Sequence, residues 1–100
     1  MILYEVSITV ETDILETYMD WLTDHVQEIL KLDGFSRAEV WCDKDSNNQI
    51  ICHYHLDTEK HLEDYINIHA PALRADGMER FEGKFEINRR IARLISRWSR

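Results

Sequence analysis

The chain has 100 residues and a mass of 12.0 kDa, a size that suits one compact domain of two packed layers. Its formal net charge is −7, from 19 acidic and 12 basic residues. All the acidic residues lie within residues 1–88, whereas residues 89–100 hold five arginines and no acid. The acidic body argues against nucleic-acid binding, because neutralising phosphates needs a broad basic face.

The sequence pattern predicts neither a membrane span nor a signal peptide. No apolar run approaches the roughly 18 residues that a membrane span needs, and residues 1–10 lack the basic start of a signal peptide. Two cysteines without a secretion signal are typical of a reducing compartment. We therefore expect a cytoplasmic protein with no membrane partner.

The first part of the chain changes its hydrophobic period. Residues 2–10 alternate apolar and polar side chains, which predicts a half-buried strand. Over residues 14–30 the apolar side chains recur at three- and four-residue spacing, which predicts an amphipathic helix. Thr12 or Asp13 is the expected N-cap, and Gly34 the expected C-cap.

The middle of the chain predicts a hairpin and a second helix. Residues 35–43 and 49–57 have strand patterns, and the Asp, Ser and Asn residues between them favour a turn. The second helix is expected to begin at Thr58. It should end near His69, because Pro71 disfavours a helical conformation in the residue before it.

The C-terminal part predicts a short helix and a last strand. Residues 72–81 have a helical pattern interrupted by Gly77, and residues 84–95 have an extended pattern. Residues 88–99 also fit a basic amphipathic helix, but we favour the strand because the sheet needs a fourth one.

The order β-α-β-β-α-β predicts a ferredoxin-like α+β fold. Elements in this order are expected to pack as a four-stranded antiparallel sheet with both helices on one face. We place the single domain at residues 1–95, followed by a basic tail at residues 96–100.

The two faces of the predicted sheet differ in character. Strand parity places one apolar set beneath the helices: Ile2, Tyr4, Val6, Ile8, Ala38, Val40, Cys42, Ile50, Cys52, Tyr54, Leu56, Phe85 and Ile87. The opposite face is polar but carries large apolar side chains that would form an exposed patch. We predict a homodimer that pairs sheet against sheet about a two-fold axis, through Leu3, Phe35, Trp41, Ile51, His53 and His55. A monomer with a scattered apolar surface is the alternative.

Two segments resemble a family of small bacterial proteins of unknown function: MILYEVSITVETDILETYMDWL at residues 1–22 and HAPALRADGMERFEGKF at residues 69–85. HAPALR followed by FEGKF is the most specific part, and the resemblance extends over residues 1–95. It implies a ferredoxin-like subunit that pairs into a dimeric α+β barrel, in a superfamily that includes antibiotic-biosynthesis monooxygenases and haem-degrading enzymes. It also implies a ligand pocket between sheet and helices, but it carries over no catalytic residue.

His53 and His55 share one strand face, because they are two residues apart. Two imidazoles can bind Zn²⁺ or Fe²⁺ if a third ligand converges, and Glu5 and Glu39 are the acids on that face. We favour the alternative, a pair of interface histidines bonded to carboxylates, so no metal site is predicted. Such an interface would respond to pH near about 6.

Cys42 and Cys52 lie symmetrically about residue 47. If the hairpin turn centres there, the two thiols face each other across the strands and could form a disulfide switch. We favour the alternative of two inert thiols, as is usual for buried cysteines in a reducing compartment.

His69, Arg74 and Tyr65 are the candidate functional residues around the Pro71 turn. His69 has the chemistry of a general base, and Arg74 that of a clamp for a carboxylate or phosphate. The alternative roles are structural: His69 interacts with a helix C-terminus, and Arg74 pairs with an acid of the second helix. Loops around a helix break often carry sites, so we expect these residues at the edge of the pocket. No cofactor is predicted.

The C-terminal arginines have acidic surface close at hand. They are Arg89, Arg90, Arg93, Arg97 and Arg100. We expect them to be neutralised, within the chain or across the dimer, by the acids of the first helix: Asp13, Glu16, Asp20, Asp24 and Glu28.

These sequence features bear on three functions. We favour a homodimer that binds or transforms a small molecule between sheet and helices. The alternative is a non-catalytic assembly or regulatory module whose role is protein–protein association. RNA binding is disfavoured, because the third strand, QIICHYHL, lacks the basic-glycine-aromatic pattern of RNA-recognition motifs. The residues alone do not decide whether the protein is an enzyme.

Overall fold

Four antiparallel strands form one sheet in the computed structural model, which describes residues 1–100. The strands are β1 (Ile2–Val10), β2 (Phe35–Asp43), β3 (Ser46–Leu56) and β4 (Phe85–Arg93). Their order across the sheet is β2-β3-β1-β4, and every neighbouring pair is antiparallel. This arrangement confirms the predicted ferredoxin-like α+β fold.

Two helical segments cover one face of the sheet. The first is α1 (Leu15–Leu30), which follows a 3₁₀ turn at Thr12–Ile14. The second consists of α2 (Glu59–Asp64), a π-helical turn (Tyr65–His69) and α3 (Ala70–Phe81). Thr58 caps α2 as predicted, since its hydroxyl accepts the backbone N–H of His61 at 3.2 Å. None of the helices combines the length and apolar character that crossing a membrane requires.

The core lies between the helices and the alternate residues of β1 and β3. On these strands every second side chain is buried, as predicted: Ile2, Tyr4, Val6, Ile8, Val10, Ile50, Cys52, Tyr54 and Leu56. From α1, Tyr18, Leu22 and Ile29 pack onto them. Val40 and Cys42 face the same side but are exposed, so the helices leave the hairpin end of β2 uncovered.

Phe35 lies on the helix side of the sheet, which corrects its assignment to the dimer face. A bulge between Phe35 and Arg37 shifts the register of β2 against β3. The Phe35 ring therefore packs against Tyr54 and Tyr65, with centroid distances of 6.1 and 5.2 Å. Strict alternation fails here because a bulge inserts one residue and changes the face of those before it.

The second helical segment does not end at His69, contrary to the expected break before Pro71. The backbone N–H of Ala70 bonds to the carbonyl of Tyr65, five residues earlier. This wider turn carries the chain into α3 with Pro71 in its first turn, where a missing N–H is tolerated.

Gly77 does not interrupt α3 either. It is buried inside the helix, and a Cβ atom at this position would lie 2.8 Å from Cη2 of Trp21. The glycine therefore allows the indole ring of α1 to lie against the backbone of α3.

Strand β4 confirms the extended prediction for the C-terminal region and excludes the helical alternative. It pairs with β1 from Phe85, opposite Val10, to Arg93, opposite Ile2. Residues 94–100 have no regular secondary structure and are exposed. Among them the side chain of Trp98 is 85% exposed.

The arginine-rich end is not neutralised by the acids of the first helix in the same chain. Of its five arginines only Arg90 forms an ion pair, at 3.0 Å from Glu5 of β1. The register of β4 places Arg90 directly opposite Glu5. Asp13 pairs instead with Lys84, at 3.2 Å. The intrachain form of the prediction is wrong, and neutralisation by a partner subunit stays a prediction.

Candidate functional site

A small cavity lies between the sheet and the helices. Its volume is about 70 Å³, and 13 of its 17 lining residues are hydrophobic. No aspartate or glutamate lines it, although the chain has 19 acids. All four tyrosines of the chain line it: Tyr4, Tyr18, Tyr54 and Tyr65. The fold therefore has an apolar cavity with phenol groups where a pocket was predicted.

Two tyrosine hydroxyls face this cavity without a protein partner. Tyr18 and Tyr65 are 1% and 4% exposed, yet neither hydroxyl bonds to another side chain or to the backbone. Both oxygens still have accessible surface, since no buried polar atom is sealed off without a partner. By contrast the Tyr4 hydroxyl accepts a hydrogen bond from Nη2 of Arg74 at 3.0 Å. The cavity therefore presents unused hydrogen-bonding groups to whatever enters it.

The phenols of Tyr18, Tyr54 and Tyr65 remain protonated at neutral pH. Burial raises the pKa of Tyr65 to about 12, and burial also raises the pKa values of Tyr18 and Tyr54. The positive charges of Arg74 and Arg89 act on the pKa of Tyr65 in the opposite direction. Each of these three phenols can thus donate a hydrogen bond.

Tyr65 and Arg74 line the cavity, whereas His69 does not. His69 is exposed and belongs to a separate surface groove that also includes Lys31 and His61. Because the helix continues through Pro71, His69 occupies the outer surface of a helical turn instead of a loop that enters the core. His69 is therefore not placed at the pocket edge where it was expected.

Three cavity residues escaped the sequence analysis: Trp21, His25 and Arg89. His25 shares a helix face with the buried residues Leu22 and Ile29, at a spacing of three and four, so periodicity could have identified it. Arg89 lies opposite Val6 of β1, on the helix side of the sheet. It has the same parity as Phe85 and Ile87, so strand alternation could have placed it there.

Trp21 joins the cavity to a polar cluster between α1 and α3. Its indole N–H donates to Oδ2 of Asp76 at 2.7 Å, and Nε of Arg80 donates to Oδ1 at 3.0 Å. The hydrogen bond from Trp21, and secondly that from Arg80, lowers the pKa of Asp76. The His25 ring stacks on Trp21 at 4.5 Å between centroids. Burial lowers the pKa of His25, so the cavity wall holds a neutral imidazole at neutral pH.

The helix-free face of the sheet carries two imidazole–carboxylate pairs. Nε2 of His53 lies 2.9 Å from Oε2 of Glu5, and Nε2 of His55 lies 2.9 Å from Oε1 of Glu39. The hydrogen bond with His55 is the main cause of a lowered pKa at Glu39. These bonds match the favoured interpretation of the two histidines. No group of three or more His, Cys, Asp or Glu side chains is placed to hold a metal ion.

The other members of the predicted dimer face share this surface. Leu3 lies opposite His55, and Trp41 lies opposite Ile51. Trp41 is 57% exposed. The surface thus combines large apolar side chains with the two histidine pairs, which is the composition from which the homodimer was predicted.

Cys42 and Cys52 do not face each other. The hairpin loop pairs Asp43 with Ser46, and a register shift places Cys42 opposite Ile50. The turn lies nearer the chain start than residue 47, which corrects the predicted facing pair. Cys42 is exposed and Cys52 is buried, and both thiols are free.

When Cys52 is replaced with valine, the free energy of unfolding is expected to fall less steeply at alkaline pH. Burial raises the pKa of Cys52 from 9.0 to about 11. Above the lower value the unfolded chain loses the thiol proton while the folded chain keeps it, so stability falls as pH rises through this window. The thiol contributes about 3 kcal/mol to the fall. Urea unfolding across this range, with the exposed-site variant Cys42→Val as control, tests this. Equal declines in Cys52→Val and wild type would contradict it.

Solved structures with a similar fold come from several organisms. A candidate antibiotic biosynthesis monooxygenase from Nitrosomonas europaea is 15% identical, with a TM-score of 0.76 and coverage of 96% of this chain and 100% of that one. A mutant of SnoaB, a cofactor-independent oxygenase from Streptomyces nogalater, is 8% identical, with a TM-score of 0.80 and coverage of 96% and 94%. A dimeric ferredoxin-like protein from an uncultured marine organism is 14% identical, with a TM-score of 0.76 and full coverage of both chains, 100% each.

These similarities define the class of the protein: a ferredoxin-like α+β domain with the fold of the antibiotic biosynthesis monooxygenases. No curated protein matches the chain. The chain belongs to the family described as domain of unknown function DUF4286, whose model matches residues 1–95.

Proposed function

We propose that this protein is a homodimer that binds a small molecule in the cavity between its sheet and its helices. The observation that carries the proposal is that two nearly buried tyrosines of the cavity lining, Tyr18 and Tyr65, have hydroxyls that keep accessible surface and have no protein partner. Hydroxyls of this kind are free to donate hydrogen bonds to a molecule in the cavity. A bound molecule that accepts hydrogen bonds from both hydroxyls would be held by them.

The cavity wall also offers a means of transforming the bound molecule. His25 lines the cavity as a neutral imidazole, which can accept a proton from a molecule held there. The similar structures described as monooxygenases or as a cofactor-independent oxygenase have the same fold. Proton abstraction by His25 is the reaction step that these lining residues support.

The homodimer rests on the helix-free face of the sheet. Leu3, Ile51 and the exposed Trp41 lie there among the histidine pairs, and a patch of this kind marks a protein interface. One protein of the same fold is described as dimeric. The same surface supports the alternative function, a non-catalytic module whose role is to form the dimer. The two functions differ in their need for the cavity, because only small-molecule binding requires it.

Filling the cavity is expected to abolish ligand binding and leave the dimer intact. Val6 lines the cavity, and Val6→Phe would place a phenyl ring in it. The probes are matched series of straight-chain acids, amides and alcohols, from acetate, acetamide and ethanol up to octanoate, octanamide and octanol. We expect at least one to raise the Tm of the wild type by about 4 °C or more at saturation, and none to do so in Val6→Phe.

Val40→Phe is the matched control, because Val40 is 42% exposed and lies outside the cavity. It should respond to the probes as the wild type does. Val6→Leu fills less space and keeps the test usable if Val6→Phe unfolds. Thermal stabilisation of Val6→Phe equal to that of the wild type, or no stabilisation of the wild type by any probe, would contradict the proposal.

A further inference from the structure

We infer, on the basis of the proposed function, that the bound molecule is a small carboxylic acid whose carboxylate lies against Arg74 and Arg89. Its short apolar chain enters the cavity. The inference comes from the charge, the hydrogen-bonding groups and the size of the cavity.

The charge of the cavity is positive in a protein that is otherwise acidic. Arg74 and Arg89 line it, and no acidic residue does. The arginines that form ion pairs are Arg37, Arg80 and Arg90, whereas Arg74 and Arg89 form none. Two guanidinium groups beside an apolar wall and without a counter-ion favour an anion at that point.

Arg74 lies beside two tyrosines of the cavity lining. It bonds to the Tyr4 hydroxyl at 3.0 Å, which leaves its remaining N–H groups free to donate. The ring of Tyr4 contacts that of Tyr65, with 5.9 Å between their centroids, and Arg89 lies opposite Val6, two residues from Tyr4 on the same face of β1. A carboxylate placed there would accept from a guanidinium fork and from a phenol.

The size of the cavity limits the ligand to a few carbon atoms. Its volume is about 70 Å³, about half that of an apolar cavity of about 150 Å³ that binds benzene. Much of the lining is aliphatic, including Ile8, Leu22 and Ile29. Butyrate has a chain of suitable length, and octanoate is too long to be enclosed.

The architecture of the lining favours a carboxylate over a phosphate. Proteins usually hold phosphate at a helix N-terminus or in a glycine-rich loop. Neither lines this cavity, where Gly77 lies in the interior of α3. The donors are planar guanidinium groups and phenols, and the planar fork of arginine matches the planar carboxylate.

Calorimetric titration of the full chain with butyrate, butyramide, octanoate and inorganic phosphate tests the inference. We expect butyrate to bind about tenfold or more tightly than butyramide, and octanoate no more tightly than butyrate. Arg74→Gln and Arg89→Gln should each weaken butyrate binding about tenfold or more and leave butyramide binding unchanged. The control Arg93→Gln, on the same strand but outside the cavity, should change neither.

The outcomes separate this inference from the proposed function. If butyramide binds as tightly as butyrate, and Val6→Phe abolishes both, the cavity binds small molecules and the carboxylate inference is wrong. If phosphate binds through Arg74 and Arg89 and butyrate does not, the ligand class is wrong. If no acid, amide or alcohol binds, both the inference and the proposed function fail.

Discussion

Replacing Gly34 with alanine is expected to lower the free energy of unfolding by about 3 kcal/mol. Gly34 has a φ of 87°, in the left-handed region, where a Cβ atom costs about 1–2 kcal/mol. A Cβ atom at this position would also overlap Cγ and Cβ of His61. His61 cannot move aside freely, because its Nδ1 bonds to the hydroxyl of Thr58 at 2.7 Å and its N–H is part of the helix cap. Overpacking of this kind adds about 1–3 kcal/mol.

Gly83 provides the matched control for this prediction. Its φ is 75°, also left-handed, but a Cβ atom there would meet nothing within 4 Å. Gly83→Ala should therefore show only the backbone cost of about 1 kcal/mol. Urea unfolding monitored by circular dichroism gives both values. Equal losses of unfolding free energy in Gly34→Ala and Gly83→Ala would contradict the close contact between Gly34, just before β2, and His61 of α2.

Replacing Ile51 with aspartate is expected to convert the proposed homodimer into a monomer. Ile51 lies on the helix-free face, with Ser7 of β1 on one side and Trp41 of β2 on the other. In a sheet-against-sheet dimer the new carboxylate would be buried, at a cost of several kcal/mol. The dissociation constant should rise about 100-fold or more. Sedimentation velocity over a range of protein concentrations measures this.

Ile68→Asp is the control for the same chemical change. Ile68 is 66% exposed and belongs to the π-helical turn, away from the sheet face. This variant should remain dimeric. A wild type that sediments as a monomer at every concentration, or an Ile51→Asp variant that dimerises like the wild type, would contradict the assigned interface.

The sequence predicted those parts of the fold in which one periodicity acts alone. β1 and β3 alternate regularly because one side of each strand is buried beneath the helices, and their buried residues were identified correctly. β2 was misassigned at Phe35 because a bulge has no distinct sequence signal. Pro71 was read as a helix end because its local preference is clear, but the π-helical turn before it accommodates the ring.

The sequence predicted the location of the site better than it predicted which residues line the site. Tyr65 and Arg74 line the cavity, while His69 was expected there on the strength of a loop that does not form. Arg89 was assigned to the arginine cluster at the C-terminus, although alternation from Phe85 and Ile87 places it on the helix side of the sheet. Alternation predicts this face, but only the packing of the helices against the sheet determines that a cavity borders it.

A crystal structure of protein purified without added ligand, at a resolution that shows ordered water, tests the cavity most directly. We predict density for a small organic acid or for ordered water within hydrogen-bond distance of the Tyr18 and Tyr65 hydroxyls, in an open space between the sheet and α1. A structure in which side chains fill that space and the two hydroxyls bond to protein groups would contradict the proposed binding site.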